Sequence, residues 1–179
     1  MISLLRAQAL LAELRTSADP PGWVFKRELS NSLVGKPLYV ALRVMPGSAK
    51  ALQTWMADQG VQNPVPPDEL HITTVYSRTP VPLYQLADRP EEMAEQLRPD
   101  SYELGILGEE GALVMFVESR SAMASHEYAA SLGASWDYPS YRPHVTLSYA
   151  PGTSIPAEPP PFAIEVGAEY ARALNLDAA

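Results

Sequence analysis

Apolar and polar residues alternate in several short segments of the chain, which is typical of strands with one buried face. The clearest case is the segment 38–44, which is rich in strand-forming residues and ends before Pro46 and Gly47. Further strands are predicted at 70–76, 102–107, 112–117, 143–149 and 162–166. Only the four residues 108–111 separate two of these segments, so we expect those two strands to form a hairpin.

Other segments repeat their apolar residues every three or four positions, which predicts amphipathic helices. The first has its apolar residues at Leu4, Ala7, Leu11 and Leu14. A second is predicted to begin at Ser48, a residue type suited to an N-cap, and to end at Gly60, where a left-handed C-cap would stand. Further helices are predicted at 91–98, 121–132 and 168–174.

The order of these elements predicts an α+β domain with a mostly antiparallel sheet and helices outside it. We expect residues 1–37 to form an N-terminal helix and a connecting segment, and residues 38–179 to form the main folded unit. A length of 179 residues with 46% hydrophobic content fits a single domain of this kind.

The chain is acidic, with a formal net charge of −8 at pH 7. Proteins that hold long nucleic acid carry a basic surface, so any nucleotide partner is expected to be small. The absence of cysteine excludes disulfides, thiolate metal sites and a cysteine nucleophile. Neither a membrane span of about 18 apolar residues nor a signal peptide is evident, so we expect no membrane contact and a cytoplasmic location.

Two of the predicted strands begin with the same motif. Residues 71–73 read His-Ile-Thr and residues 144–146 read His-Val-Thr, and each histidine is followed five positions later by a tyrosine. The chain contains three histidines, so two of the three belong to this repeat. The repeat is therefore the strongest functional signal in the sequence.

Alternate residues of a strand share a face, so His71 lies beside Thr73 and His144 lies beside Thr146. We expect the two strands to be neighbours, which would bring the four side chains to one groove. One imidazole can then accept a proton from an attacking hydroxyl while the other donates a proton to the leaving oxygen. The threonine hydroxyls can donate hydrogen bonds to phosphate oxygens. The pattern suits phosphodiester cleavage that requires no metal.

Three other residues are expected to lie outside this group. Tyr76 and Tyr149 stand at an odd offset from the histidines, which predicts that they point away from the catalytic groups. His126 falls in the predicted helix 121–132 without a partner threonine, and we expect it to face solvent.

The paired His-x-Thr strands resemble those of the 2H phosphoesterase superfamily. Together with the segments 38–42, 70–78 and 141–149, they are most similar to the phage anti-CBASS phosphodiesterases, which degrade the cyclic di- and trinucleotide messengers of bacterial antiphage defence. This resemblance implies a bilobal fold with pseudo-twofold symmetry, a central cleft, and metal-independent cleavage of a 3′–5′ bond to a linear product. The catalytic residues that it implies are His71, Thr73, His144 and Thr146, with no cofactor.

Recognition of the bases by such an enzyme needs aromatic faces and polar groups. The candidates in this chain are Tyr39 on the first predicted strand, Tyr102 before the hairpin and Glu169 near the C-terminus. The nucleophile is either a ribose 2′-hydroxyl next to the scissile phosphate or water.

Other interpretations account for parts of the pattern. The motif residues can be ordinary strand residues, or the two histidines can bind a metal, although no third ligand stands at a fixed spacing. A 2′,3′-cyclic phosphodiesterase or RNA-end-processing enzyme of the same superfamily is a second enzymatic function, and such an enzyme is expected to carry a basic rim. A protein that sequesters cyclic nucleotides, or a virion domain with this fold, is a non-enzymatic alternative. The presence of all four motif side chains favours catalysis.

Overall fold

The two His-x-Thr strands lie next to each other at the centre of an antiparallel sheet of seven strands. The structure is a computed structural model that describes residues 25–87, 94–153 and 155–174. Its strands are β1 (Phe25–Glu28), β2 (Pro37–Val44), β3 (His71–Pro80), β4 (Gln85–Ala87), β5 (Glu95–Leu97), β6 (Glu103–Leu107), β7 (Ala112–Phe116), β8 (His144–Ser148) and β9 (Ile164–Ala173). Its α-helices are α1 (Pro46–Asp58) and α2 (Arg120–Ser131), and short 3₁₀ turns lie at Pro67–Glu69 and Pro99–Ser101.

The strand order in the large sheet is β5-β9-β2-β3-β8-β7-β6, while β1 and β4 form a separate pair. Two units of similar design meet at the centre of the large sheet. In one unit α1 connects β2 to β3, and in the other α2 connects β7 to β8. This architecture confirms the predicted α+β class with a mostly antiparallel sheet and related halves around the two motif strands.

One face of the sheet forms the hydrophobic core with the two helices. Strand β2 contributes Leu38, Val40 and Leu42, and the central positions of the motif strands contribute Ile72 and Val145. From the helices, the core receives Leu52, Met56, Ala122 and Ala129. Burial of a large aliphatic side chain contributes about 1.5–3 kcal/mol to the stability of the fold. Burial of these apolar side chains therefore determines which side of each strand faces the core. The opposite face is left for polar and aromatic side chains.

Two of the predicted helices are wrong where the structure describes them. Residues 95–97 form the edge strand β5, which pairs with β9. Residues 168–173 continue β9, because this strand pairs with β2 as far as Leu38. A line of backbone hydrogen bonds to a central strand and the burial of one face outweigh the weak helical preference of this alanine-containing segment.

The beginning of α1 also differs from the prediction. The helix starts at Pro46 after Met45, and Ser48 does not cap it through its side chain. The Ser48 hydroxyl instead accepts a hydrogen bond of 2.9 Å from the backbone N–H of Glu165, which links α1 to β9. Proline is favoured in the first turn because its missing N–H has no partner there.

The predicted N-terminal helix lies outside the described residues. Part of the expected connecting segment forms β1, whose register with β4 places Arg27 opposite Leu86. Among the described residues, no helix combines the length and the apolar character needed to cross a membrane.

Candidate active site

The His-x-Thr motifs meet where β3 and β8 pair. Ile72 lies opposite Val145 in this antiparallel pair, and both side chains are fully buried in the core. The flanking residues of each strand therefore point to the other face, where the four motif side chains are partly exposed. The register directs His71 towards Thr146 and Thr73 towards His144. Each histidine thus faces the threonine of the other motif.

Both imidazoles are held in the same way. Nδ1 of His71 lies 2.5 Å from the carbonyl oxygen of Glu69, and Nδ1 of His144 lies 2.8 Å from the carbonyl oxygen of Arg142. A carbonyl oxygen only accepts hydrogen bonds, so Nδ1 carries the proton in each ring. The remaining nitrogen, Nε2, is the atom with which either histidine can exchange a proton.

The hydroxyl of Tyr39 contacts the first motif directly. It lies 2.6 Å from Nε2 of His71 and 2.9 Å from Oγ1 of Thr73. Because Nε2 of the neutral ring accepts, the Tyr39 hydroxyl donates to His71 and receives a hydrogen bond from Thr73. Burial raises the pKa of the Tyr39 phenol well above its ordinary value, so this donor stays protonated at neutral pH.

The environment of His71 favours its neutral form. Burial lowers the pKa of this imidazole, and the nearby charges of Arg172 and His144 lower it further, against the hydrogen bond to Glu69, which raises it. The neutral ring has an available lone pair on Nε2. His71 is therefore suited to accept a proton at physiological pH.

His144 lies against the ring of Phe116, on the neighbouring strand β7. The two ring centres are 5.9 Å apart, and the Arg142 guanidinium lies 3.8 Å from the centre of the Phe116 ring. Arg142 also forms an ion pair of 2.9 Å with Glu103. On β6, Gly105 leaves room for the same ring, because a Cβ atom there would lie 2.7 Å from Phe116. This packing fixes the position of Phe116 beside His144.

Tyr76 lies on the catalytic face, which corrects the sequence prediction. It stands opposite Tyr39 in the β2–β3 register, and the two ring centres are 6.5 Å apart. A β-bulge interrupts this register, because Val40 pairs with Val75 and Ala41 pairs with Thr73, which leaves Thr74 as an extra residue in β3. Beyond the bulge, the alternation of side chains between the two faces of β3 is therefore reversed. Tyr149 likewise follows an extra residue in β8, where the register with β7 shifts between Leu113 and Val114, and it is exposed rather than packed in the core.

Of the three predicted binding residues, Tyr39 lies at the motifs. Its ring is only 5% exposed, so the hydroxyl rather than the ring face is directed at the catalytic groups. Tyr102 is 8% exposed; its hydroxyl donates to the Leu97 carbonyl oxygen at 2.8 Å and accepts from the Ile164 N–H at 3.0 Å. Burial raises the pKa of this phenol to about 12. Tyr102 thereby links β5 to the start of β9.

Glu169 lies on the core side of β9. It stands opposite Leu42 in the register and is 2% exposed. Its carboxylate accepts a hydrogen bond of 3.1 Å from the Tyr84 hydroxyl and one of 2.7 Å from the Ala87 N–H. Burial raises the pKa of this carboxyl group, against hydrogen bonds that lower it. The structure therefore places Glu169 on the opposite face from its neighbour Tyr170.

His126 packs inside an aromatic group, which corrects the expectation that it faces solvent. Its ring stacks on Tyr141 with centres 4.0 Å apart and meets the edge of Trp136 at 4.9 Å. Nδ1 of His126 donates to the Thr74 carbonyl oxygen at 3.0 Å, and the Tyr141 hydroxyl donates to the Thr73 carbonyl oxygen at 2.8 Å. The two side chains hold the backbone of β3 at its bulge. The aromatic residues at 136–141 were the sequence signal for this group.

Within the described residues, no set of three or more histidine, cysteine, aspartate or glutamate side chains is arranged to hold a metal ion. The site consists instead of two imidazoles, two threonine hydroxyls and a tyrosine hydroxyl.

Known proteins are similar to this chain in sequence and in fold. A family model described as anti-CBASS protein Acb1 matches residues 36–179. The anti-CBASS protein Acb1 of Yersinia phage phiR1-RT is 34% identical over 141 residues, covering 78% of this chain and 90% of that protein. The Acb1 protein of Enterobacteria phage T4 is 32% identical over 140 residues, with the same coverage of both chains.

Solved structures have a fold similar to that of this chain. The crystal structure of E. coli LigT complexed with 3′-AMP superimposes with a TM-score of 0.53 over 78% of this chain and 88% of that chain, at 16% identity. A structure described as a phosphoesterase superimposes with a TM-score of 0.52, also at 16% identity. At this level of identity the likeness concerns the fold alone.

Proposed function

This chain belongs to the anti-CBASS protein Acb1 family, and we propose that it opens cyclic di- and trinucleotide messengers at a 3′–5′ phosphodiester bond. It is a phosphodiesterase with the 2H phosphoesterase fold that disables CBASS signalling. Beyond this activity, we propose which bond is cleaved, that the product is linear, which residues carry out the reaction, and that the reaction needs no metal ion.

The observation that carries the proposal is the matched placement of the two imidazoles. Each Nδ1–H donates to a carbonyl oxygen two residues earlier in the chain, which leaves Nε2 of both rings for proton transfer on one face of the sheet. A phosphodiester placed between them meets one nitrogen on the side of the nucleophile and one on the side of the leaving group. This is the requirement for concerted acid and base catalysis.

We assign the general base to His71 and the general acid to His144. Nε2 of His71 removes the proton from the attacking hydroxyl as its oxygen bonds to phosphorus. The bond from phosphorus to the 5′-oxygen breaks, and Nε2 of protonated His144 supplies the proton that this oxygen takes up. The lowered pKa of His71 supports its role as the base. Thr73 and Thr146 donate hydrogen bonds to the nonbridging oxygens as negative charge develops on them.

The nucleophile is a ribose 2′-hydroxyl or water, and the two give different products. Attack by the 2′-hydroxyl forms a 2′,3′-cyclic phosphate at the new end, whereas attack by water leaves a linear phosphate there. In either case the nucleophile replaces the Tyr39 hydroxyl on Nε2 of His71. Tyr39 stays protonated and is then free to donate to a phosphate oxygen, which makes it the binding residue closest to the reaction.

The other two predicted binding residues, Tyr102 and Glu169, support the site through β9 and do not contact the motif side chains. Tyr102 holds β5 to β9, and Glu169 holds the segment around Ala87 to β9. Both therefore support the strand that carries Tyr170 beside the site. The net charge of −8 supports a small substrate over a long nucleic acid. We expect the enzyme to act in the cytoplasm of the bacterial host.

The test is incubation of the purified protein, with EDTA present, against cyclic di- and trinucleotides and 2′,3′-cyclic mononucleotides, read by chromatography and mass spectrometry. Linear products from the cyclic oligonucleotides support the proposal and identify the bond that is cleaved. Opening of the cyclic mononucleotides alone would support the RNA-end-processing function. Tight binding without cleavage would identify a protein that sequesters the messenger.

A further inference from the structure

The catalytic face continues beyond His71 onto β2 and β9. Arg43 lies opposite His71 in the β2–β3 register, and Arg172 lies opposite Tyr39 in the β2–β9 register. Residues directly opposite each other in an antiparallel pair share a face of the sheet. Both arginines therefore stand on the side that carries the catalytic groups, although 129 positions separate them in the sequence.

Aromatic rings hold both guanidinium groups. The Arg43 guanidinium lies 4.8 Å from the centre of the Tyr170 ring, and that of Arg172 lies 4.3 Å from the centre of the Tyr39 ring. Tyr170 in turn lies 6.4 Å from both Tyr39 and His71, measured between ring centres. A cation over an aromatic face is attracted to it without using its N–H donors. The rings therefore orient the two guanidinium groups and leave their donors available.

Neither arginine has an acidic partner in the described part of the chain. Three other arginines are ion-paired on the surface, namely Arg78 with Asp137, Arg98 with Asp100 and Arg142 with Glu103. Arg43 and Arg172 are exposed, and within residues 25–87, 94–153 and 155–174 no salt bridge or hydrogen bond engages their side chains. In a chain of net charge −8, two unpaired cations beside the catalytic base form a local site for an anion.

The position of this pair matches a second phosphate of the substrate. Neighbouring strands are about 4.8 Å apart, so Arg43, directly opposite His71 on β2, stands one strand spacing from it. Arg172 stands two strands away and further along the sheet, but its guanidinium lies over the ring of Tyr39, whose hydroxyl contacts His71. Both guanidinium groups therefore flank the place of a phosphate held between the motifs. A planar guanidinium binds phosphate oxygens through two parallel hydrogen bonds.

We propose that Arg43 and Arg172 bind a phosphate of the cyclic oligonucleotide other than the one being cleaved. This inference rests on the proposed function and extends it to substrate selection. A substrate with a second phosphate gains the contacts to both arginines, whereas a nucleotide with one phosphate between the motifs does not reach them. The pair thereby favours oligonucleotides with a second phosphate over mononucleotides.

The test compares R43Q, R172Q and the double variant with R98Q, a matched control at an exposed arginine on another part of the surface. A cyclic dinucleotide is the substrate, and a linear 2′-deoxy dinucleoside monophosphate, which has one phosphate, is the competitive inhibitor. We expect KM for the cyclic substrate to rise about tenfold in each single variant, with little change in the inhibition constant of the one-phosphate compound. The rise of KM with salt concentration should also be weaker in each variant, because one screened charge–charge attraction is removed.

Equal losses for both compounds would show that the arginines act on the scissile phosphate and would overturn the inference. Unchanged kinetics in the double variant would also overturn it, while leaving the proposed function intact. A wild-type protein that opens no cyclic oligonucleotide would instead contradict the proposed function itself. R172K provides a further check, since lysine retains the charge but lacks the paired donors and should restore only part of the affinity.

Discussion

The Tyr39 hydroxyl donates to Nε2 of His71 across neighbouring strands, at a distance of 2.6 Å. The same hydroxyl accepts from Thr73 at 2.9 Å, so one side chain orders both groups of the first motif. In the proposed mechanism, Nε2 is also the atom that receives the proton of the nucleophile. Tyr39 therefore keeps the His71 ring neutral and oriented, with a hydroxyl at the position that the proposed mechanism gives to the substrate hydroxyl.

Replacement of either motif histidine should abolish most of the activity. For H71A and H144A we expect kcat to fall about 10²–10⁴-fold, because each variant lacks one of the two proton-transfer groups. Both side chains are partly exposed, so the fold should be retained. The measurement is kcat and KM for a cyclic dinucleotide, with thermal unfolding as the control for folding. Unchanged turnover in either variant would contradict the mechanism.

The pH profile should reflect the lowered pKa of His71. The base must be unprotonated, so kcat/KM should rise with pH and reach half of its maximum below 6.5, the ordinary value for histidine. The R172Q variant removes a positive charge that contributes to this lowering, so its acid limb should move to higher pH. An acid limb that stays in place in R172Q would show that this charge does not act on the base.

Stability should depend on pH through the same group. The pKa of His71 is lower in the folded protein than in the unfolded chain, so the unfolded state binds more protons between the folded pKa and 6.5. The contribution of His71 to stability is fully present above pH 6.5 and is lost as the pH falls towards the pKa of His71 in the folded protein. Chemical denaturation from pH 7.5 to 5 should therefore show a smaller loss of stability in H71Q than in the wild type. An identical pH dependence in both proteins would exclude this contribution.

Loss of the Tyr39 hydroxyl tests its place in the reaction. Y39F removes one hydrogen bond to His71 and one to Thr73, and a typical net value of about 0.5–1.5 kcal/mol corresponds to a twofold to tenfold fall in kcat/KM. Y138F, at an exposed tyrosine, is the matched control. A faster reaction in Y39F would mean that the hydroxyl only obstructs the base.

Tyr141 should act as a positioning residue. Its hydroxyl donates to the Thr73 carbonyl oxygen, next to the bulge in β3. In Y141F this anchor is lost, and a shift of the first motif by a fraction of an ångström should lower kcat by about tenfold to a hundredfold with little change in KM. Y138F again serves as the control, and a fall in thermal stability without any change in kcat would show that the role is structural only.

The E169L variant tests whether Glu169 supports the fold or contacts the substrate. E169L removes the acceptor of the Ala87 N–H, and loss of a buried partner costs about 1–3 kcal/mol. We expect a lower unfolding temperature, with KM of the remaining folded enzyme changed less than threefold. A large rise in KM at unchanged stability would instead indicate that Glu169 turns towards the substrate.

The placement of the motif side chains could be predicted because it depends on local spacing. A residue and its second neighbour share a face of any strand, so the pairing of His71 with Thr73 follows from sequence alone, as does that of His144 with Thr146. The strand character of 38–44, the hairpin and the helix at 121–132 were equally evident from local patterns. These features require no knowledge of what the segments contact.

Other features depend on partners that are distant in the sequence. Pairing with β2 makes the segment 168–173 a strand, and a bulge in β3 brings Tyr76 to the catalytic face. The stacking of His126 on Tyr141 and the approach of Arg172 to the ring of Tyr39 likewise require the assembled sheet.

The sequence by itself therefore determined which motif side chains lie side by side on one face of each strand. The tertiary structure decided which groups meet, because the register of the strands and their bulges is selected by burial of the whole core face rather than by any one segment.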